Sequence, residues 1–146
     1  MYMAWVGRGG DELIFMAVRK SQLEKTIQSA IQEFLELQEE LGLLVYQKNN
    51  TGAVRIERPG AKSSFMRFGK KGSPDFLVWR FRELRIAALD HDTINFQAFL
   101  ETLFIEVKTD VGKQSDAQRV FQQKVEKLGG IYLVVRSLDD VKKIIL

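Results

Sequence analysis

Leu103-Phe104-Ile105-Glu106-Val107-Lys108 is a run of strand-forming apolar residues that carries a carboxylate and an ammonium two positions apart. Successive side chains on a strand point to opposite faces, so Glu106 and Lys108 project together. Charges in so apolar a strand are costly unless they are paired or hold an ion. Upstream, Ser73-Pro74-Asp75 sets another acid at the head of a second apolar run, Phe76-Leu77-Val78-Trp79. Two carboxylates and a lysine brought together suit a hard cation such as Mg²⁺, which takes oxygen ligands and bridges to phosphate oxygens.

Further motifs follow in order. Gly72-Ser73-Pro74-Asp75 and Phe104-Ile105-Glu106-Val107-Lys108-Thr109 are succeeded by Gly112-Lys113-Gln114-Ser115 with Gln118, by Gly129-Gly130-Ile131-Tyr132, and by Ser137-Leu138-Asp139-Asp140-Val141. Over residues 21 to 146 this series resembles a VRR-NUC domain of the PD-(D/E)XK nuclease superfamily. The resemblance implies a restriction-endonuclease-like α/β core, a mixed central β-sheet flanked by helices. It further implies Mg²⁺-dependent hydrolysis of DNA phosphodiesters, with Mn²⁺ also accepted, by in-line attack of water that leaves a 5′-phosphate. Asp75 and Glu106 are then the carboxylate ligands, the Val107 carbonyl a third ligand, Lys108 the residue that holds or activates the water, and Gln118 its neighbour. An acid on the first helix belongs to the family's metal site, which points to Glu24. Stand-alone members resemble Holliday-junction resolvases, homodimers whose two sites cut two strands, so branched DNA is the expected substrate. A nuclease for flaps, nicked duplex or specific sequences is the alternative. A catalytically dead DNA-binding module is disfavoured, because Asp75, Glu106, Lys108 and Gln118 are all present.

Composition narrows the chemistry independently. The 146 residues, 45% of them hydrophobic, fit a single domain with an ordinary core. With no cysteine and one histidine, disulfides, thiolate zinc sites and histidine-metal nuclease chemistry drop out, leaving oxygen ligands. No apolar run is long enough for an ordinary membrane span and no signal-peptide pattern opens the chain, so a cytoplasmic protein without membrane contacts is expected. Net charge is +3, but residues 48 to 85 hold ten Lys and Arg against three Asp and Glu. This basic stretch, with Phe65 and Phe68 interleaved, leads straight into Asp75. Arg58, Lys62, Arg67, Lys70 and Lys71 are the expected phosphate contacts. No recognition helix stands out, so phosphate and shape readout should dominate.

Periodicity orders the elements. Leu23, Ile27, Ala30, Ile31, Phe34, Leu35 and Leu41 predict an amphipathic helix from Ser21 to about Leu41. Ser21 and Glu24 have capping-box spacing, which gives Glu24 a structural role to set against the functional one. Residues 1 to 20 read as an N-terminal extension broken at Gly9-Gly10, with Leu13 to Met16 an added strand or a dimer contact; residues 1 to 15 alternatively belong to an earlier start than Met16. Strands are predicted at Leu43 to Gln47 and from Asp75 to Trp79, with an irregular basic loop between them after a turn at Asn49 to Gly52. Between residues 81 and 102, Thr93 to Glu101 predict a short helix, and Asp90-His91-Asp92 an exposed cluster rather than a ligand trio. Ser115 opens a second helix with Ala117, Val120, Phe121, Val125 and Leu128 on its buried side and Gly129-Gly130 as its stop. Gln118 can complete its capping box or serve the site. A buried strand, Ile131 to Arg136, and a closing helix capped by Ser137 complete the order.

Overall fold

Alternation along the two central strands sorts the molecule into layers. The computed structural model describes residues 9–50, 52–57, 60, 62–87 and 94–146. In chain order the elements are α1 (Gly9–Glu40), β1 (Leu44–Lys48), β2 (Gly52–Ile56), β3 (Ser64–Phe68), β4 (Phe76–Ala87), β5 (Ile94–Val107), α2 (Asp116–Lys127), β6 (Ile131–Val135) and α3 (Leu138–Ile145). Four strands form one sheet in the order β1-β4-β5-β6, and β2 pairs with β3 alone. β1 and β5 run antiparallel to β4, while β6 runs parallel to β5. A parallel neighbour needs a crossover, and α2 supplies it.

Leu44, Phe76, Val78, Leu103, Ile105, Val107 and Val135 face Ile31 and Leu35 of α1 and Val141 of α3 in one apolar cluster. The opposite face meets α2, where the Phe121 ring lies 6.1 Å from Phe104 and 6.4 Å from Tyr132. This is the α/β arrangement expected, a mixed sheet with helices on both sides. Among the described residues no helix is long and apolar enough to cross a membrane.

Several local expectations change. α1 begins at Gly9, so Gly9-Gly10 opens the helix, Leu13 to Met16 is helical, and Ser21 lies inside the helix and does not cap it. Glu12, Leu13, Met16, Ala17, Arg19 and Lys20 are all good helix formers, which carries the helix past the serine. Its buried stripe differs at the edges, with Leu23 and Leu41 exposed and Gln38 buried.

The stretch from Thr93 to Glu101 is not a helix. Phe81 to Ala87 pairs with Ile94 to Leu100 and prolongs β4 and β5 into a ribbon beyond the four-stranded sheet. Ile94, Phe96, Ala98 and Leu100 recur every second residue, a strand period that a long antiparallel partner reinforces. Asp90, His91, Asp92 and Thr93 lie outside the described residues.

The basic loop contains the β2–β3 hairpin, joined in register from Gly52↔Phe68 to Ile56↔Ser64. Among the described residues this hairpin packs against no other helix or strand. Lastly, Ala117, Phe121 and Val125 of α2 turn inward, but Val120 and Leu128 are exposed. β6 is an edge strand, so Tyr132 and Val135 are buried while Ile131 and Val134 remain partly open. Ser137 caps α3 as its spacing predicts, accepting the Asp140 N–H at 3.2 Å.

Candidate active site

Phe76 pairs with Ile105, so one step beyond the paired segment Asp75 comes opposite Glu106. Strand register therefore joins two acids that lie far apart in sequence. The Val107 N–H donates to Asp75 Oδ2 at 2.7 Å and ties that carboxylate to β5. Glu106 is 1% exposed and Lys108 7% exposed. Lys108 Nζ stands 2.6 Å from Glu106 Oε1 and 3.7 Å from Glu24 Oε1, so the ammonium sits between two carboxylates.

The flanking helices contribute amides. Residues four apart share a helix face, and on α1 Gln28 follows Glu24 by four positions. Its Nε2 donates to Asp75 Oδ1 at 3.0 Å. Gln118, at the start of α2, donates its Nε2 to Glu106 Oε1. The same side chain completes a capping box, because its Oε1 accepts the Ser115 N–H at 2.8 Å while Ser115 Oγ accepts the Gln118 N–H at 3.2 Å. Structural and site roles thus coincide in one residue. The Tyr132 hydroxyl lies 3.5 Å from Glu106 Oε2, at the outer limit of a hydrogen bond.

Backbone packing fixes these positions. Asn49 donates its N–H to the Asp75 carbonyl at 2.7 Å and its Nδ2 to the Pro74 carbonyl at 3.0 Å. Gly72 has φ +86°, and a Cβ added there would lie 2.3 Å from the Ala117 carbonyl oxygen. Only glycine lets the chain entering Asp75 lie so close to α2. On the other side of the site, Arg136 Nη1 donates to the carbonyls of Thr109, Asp110 and Gly112 and holds the loop that follows Lys108.

The charges are in tension. Burial first, and then the Asp75 carboxylate, push Glu106 up to about 7 against the pull of Lys108. Burial also raises Asp75, opposed by the Val107 N–H and the Lys108 charge. For Lys108 burial acts downward, yet the bond and charge of Glu106, with Glu24 and Asp75, outweigh it and leave the ammonium more firmly protonated than an ordinary lysine. Burial, then Glu106, raises the Tyr132 phenol, so it stays protonated.

A family model of the VRR-NUC domain matches residues 14–139. The chain belongs to the VRR-NUC family. It is a nuclease domain on that footing, and the match begins within α1. No curated protein and no solved structure matches the chain.

Within this VRR-NUC domain the structure brings Asp75, Glu106, Lys108, Gln118 and Glu24 to one end of the sheet, with Val107 buried beside them. Sequence reasoning gave no role to Gln28 or Tyr132. Gln28 stands one turn after Glu24 beside Ile27, and this placement of a polar residue was the available signal. Tyr132 interrupts an otherwise aliphatic strand. Of the expected phosphate contacts, Lys62, Lys70 and Lys71 are exposed, Arg67 stands in β3, and Arg58 lies outside the described residues. Lys70 Nζ is 5.9 Å from the centre of the Phe121 ring, which draws the basic segment against α2.

Among the described residues no cluster of three or more carboxylate or imidazole side chains is arranged to hold a metal ion. The donor set is a close carboxylate pair, Asp75 and Glu106. This suits Mg²⁺, which is commonly held by one or two carboxylates and completes its shell with water and substrate phosphate.

Proposed function

We propose that the protein is a Mg²⁺-dependent DNA endonuclease, structure-selective for branched DNA such as Holliday junctions and active as a homodimer. The observation that carries the metal-dependent reading is the pairing of half-buried Asp75 with buried Glu106, with the Lys108 ammonium against Glu106. Burial raises both carboxyls and the Asp75 charge raises Glu106 further, which makes a site where a divalent cation relieves repulsion. Asp75 and Glu106, with the Val107 carbonyl and Glu24 as further anchors, would hold Mg²⁺, which would supply Lewis-acid polarisation of the phosphate and a lowered pKa for bound water.

The chain's own residues do the rest. Gln28 and Gln118 each donate to one carboxylate and fix its orientation. Because its neighbours keep Lys108 protonated, it orients the attacking water and offsets charge developing on the phosphate, and it does not act as a proton acceptor. Lys62, Lys70 and Lys71 contact backbone phosphates on the approach to Asp75.

Homodimer formation is supported by an uncovered part of the sheet. Val45, Trp79, Phe81 and Leu100 share the face that α2 covers only at its far end. With Leu43 they line a groove of about 560 Å³. Val45, Phe81 and Leu100 are each more than half exposed, an apolar surface that a second copy would bury.

The direct test is cleavage of four-way junction, flap, nicked, linear and single-stranded DNA with Mg²⁺, with light scattering to give the mass. Paired nicks across the junction by a dimer are expected. Equal cutting of linear duplex by a monomer would remove the branched-DNA reading and leave the nuclease domain. For the basic segment, the Lys70→Ala, Lys71→Ala double variant should bind DNA more weakly, and the slope of log affinity against log salt should be shallower by about two contacts' worth, roughly 0.9 per phosphate. An unchanged slope would mean that these lysines face away from DNA.

A further inference from the structure

Both legs of the β2–β3 hairpin are rooted at the site. β1 ends at Lys48, whose register partner is Phe76, and the next residue, Asn49, bonds the Asp75 backbone. The returning leg runs from Phe68 through Lys70, Lys71 and the close-packed Gly72 into Asp75. Between these legs stands a two-stranded ribbon that touches no other element among the described residues. Such a ribbon is marginally stable by itself.

Its exposed side chains are unusual for a solvated hairpin. Phe65 is 70% exposed, with Met66 and Val54 about half exposed. Phe65 pairs in register with Arg55, which puts a guanidinium on the same face as the ring. Among the described residues Arg55 makes an exposed contact of 3.6 Å with Glu57, on its own chain segment. Lys62 is exposed near the start of β3, and Lys70 and Lys71 follow its end. An open aromatic ring among cations matches a nucleic-acid strand on both counts, since phosphates answer the charge and a base answers the ring.

We infer that the hairpin is a base-binding element, in which Phe65 stacks on a nucleobase left unpaired or splayed at a DNA branch while Arg55 and Lys62 hold the adjoining phosphates. Arg55 is six residues on from Asn49, so at full chain extension, with the two cross-strand spacings added, Phe65 lies within about 30 Å of Asp75. A stacked base is then no more than about nine nucleotides from the cleaved phosphate at ~3.4 Å per step. A fully paired duplex offers the ring no face, whereas a branch point or bulge does. This inference rests on the DNA-nuclease reading and adds the feature of the DNA that the protein recognises.

The experiment compares wild type, Phe65→Ala and Phe65→Tyr, in EDTA to prevent cleavage, on a four-way junction with 2-aminopurine at the branch and on a matched linear duplex. Phe65→Ala should weaken junction binding about tenfold or more, the usual consequence of losing one aromatic–base stack. Its duplex affinity should remain within about twofold, and its salt slope should equal that of wild type because no phosphate contact is lost. Wild type should quench 2-aminopurine fluorescence, Phe65→Ala should not, and Phe65→Tyr should restore both quenching and affinity. An equal loss on junction and duplex, or no loss on either, overturns the inference while leaving the nuclease reading intact. A wild-type protein that binds neither DNA overturns both.

Discussion

Asp75→Asn and Glu106→Gln should each reduce DNA cleavage to background, a fall of about 10³-fold or more, given the several kcal/mol of transition-state charge stabilisation that a bound cation provides. The substitutions keep side-chain volume and remove the charge that holds the ion. DNA affinity should be unchanged or slightly higher, because a negative charge beside the phosphates has gone. Folding should survive as well. Glu106 is almost fully buried and its carboxyl is raised to about 7 by burial and by Asp75, so the neutral amide relieves repulsion that the folded protein now carries. Cleavage rate, filter binding and melting temperature measured together separate lost chemistry from lost structure. Substantial cleavage by either variant would remove that carboxylate from the site.

Lys108→Met should lower turnover by about 10² to 10³, the usual effect of deleting one electrostatic stabiliser from an active site. Affinity for DNA should change far less. The ammonium is held by Glu106 at 2.6 Å and Glu24 at 3.7 Å and is raised in pKa, so its contribution is a fixed positive charge. Lys108→Arg should recover little, since a planar guanidinium does not fit the place of a compact ammonium between two carboxylates. Single-turnover rates at saturating enzyme report the chemical step directly. A Lys108→Met protein that cleaves at the wild-type rate but binds weakly would assign this lysine to substrate binding.

The parts of this molecule that sequence made legible are those where local pattern and long-range pairing agree. Glu106 and Lys108 could be placed on one face because strand alternation is a local rule. Ser115 and Ser137 could be read as caps because a capping box spans only four residues. Asp75 opposite Glu106 follows from register, which the sequence does not display, and the family's motif order stood in for it.

Failures occurred where two local rules competed. At Ser21 capping spacing suggested a helix start, but strong helix formers on both sides carry α1 through it. That continuity leaves Glu24 free of capping and able to reach Lys108. From Thr93 to Glu101 a capping residue suggested a helix, although the apolar residues alternate in twos, and the partner strand at Phe81 to Ala87 decided the outcome. Gln28 carried only a weak signal, for a different reason. Its part in the site depends on how α1 lies across the sheet end, and that packing is set by Ile31 and Leu35 against the core rather than by any motif around Gln28 itself.

Calorimetric titration of Mg²⁺ into the DNA-free protein bears most directly on the central claim that Asp75 and Glu106 form a cation site. Saturable binding is expected in wild type and should be lost in the Asp75→Asn, Glu106→Gln double variant, while Lys70→Ala, Lys71→Ala titrates like wild type. Undiminished binding by the carboxylate double variant would contradict the account.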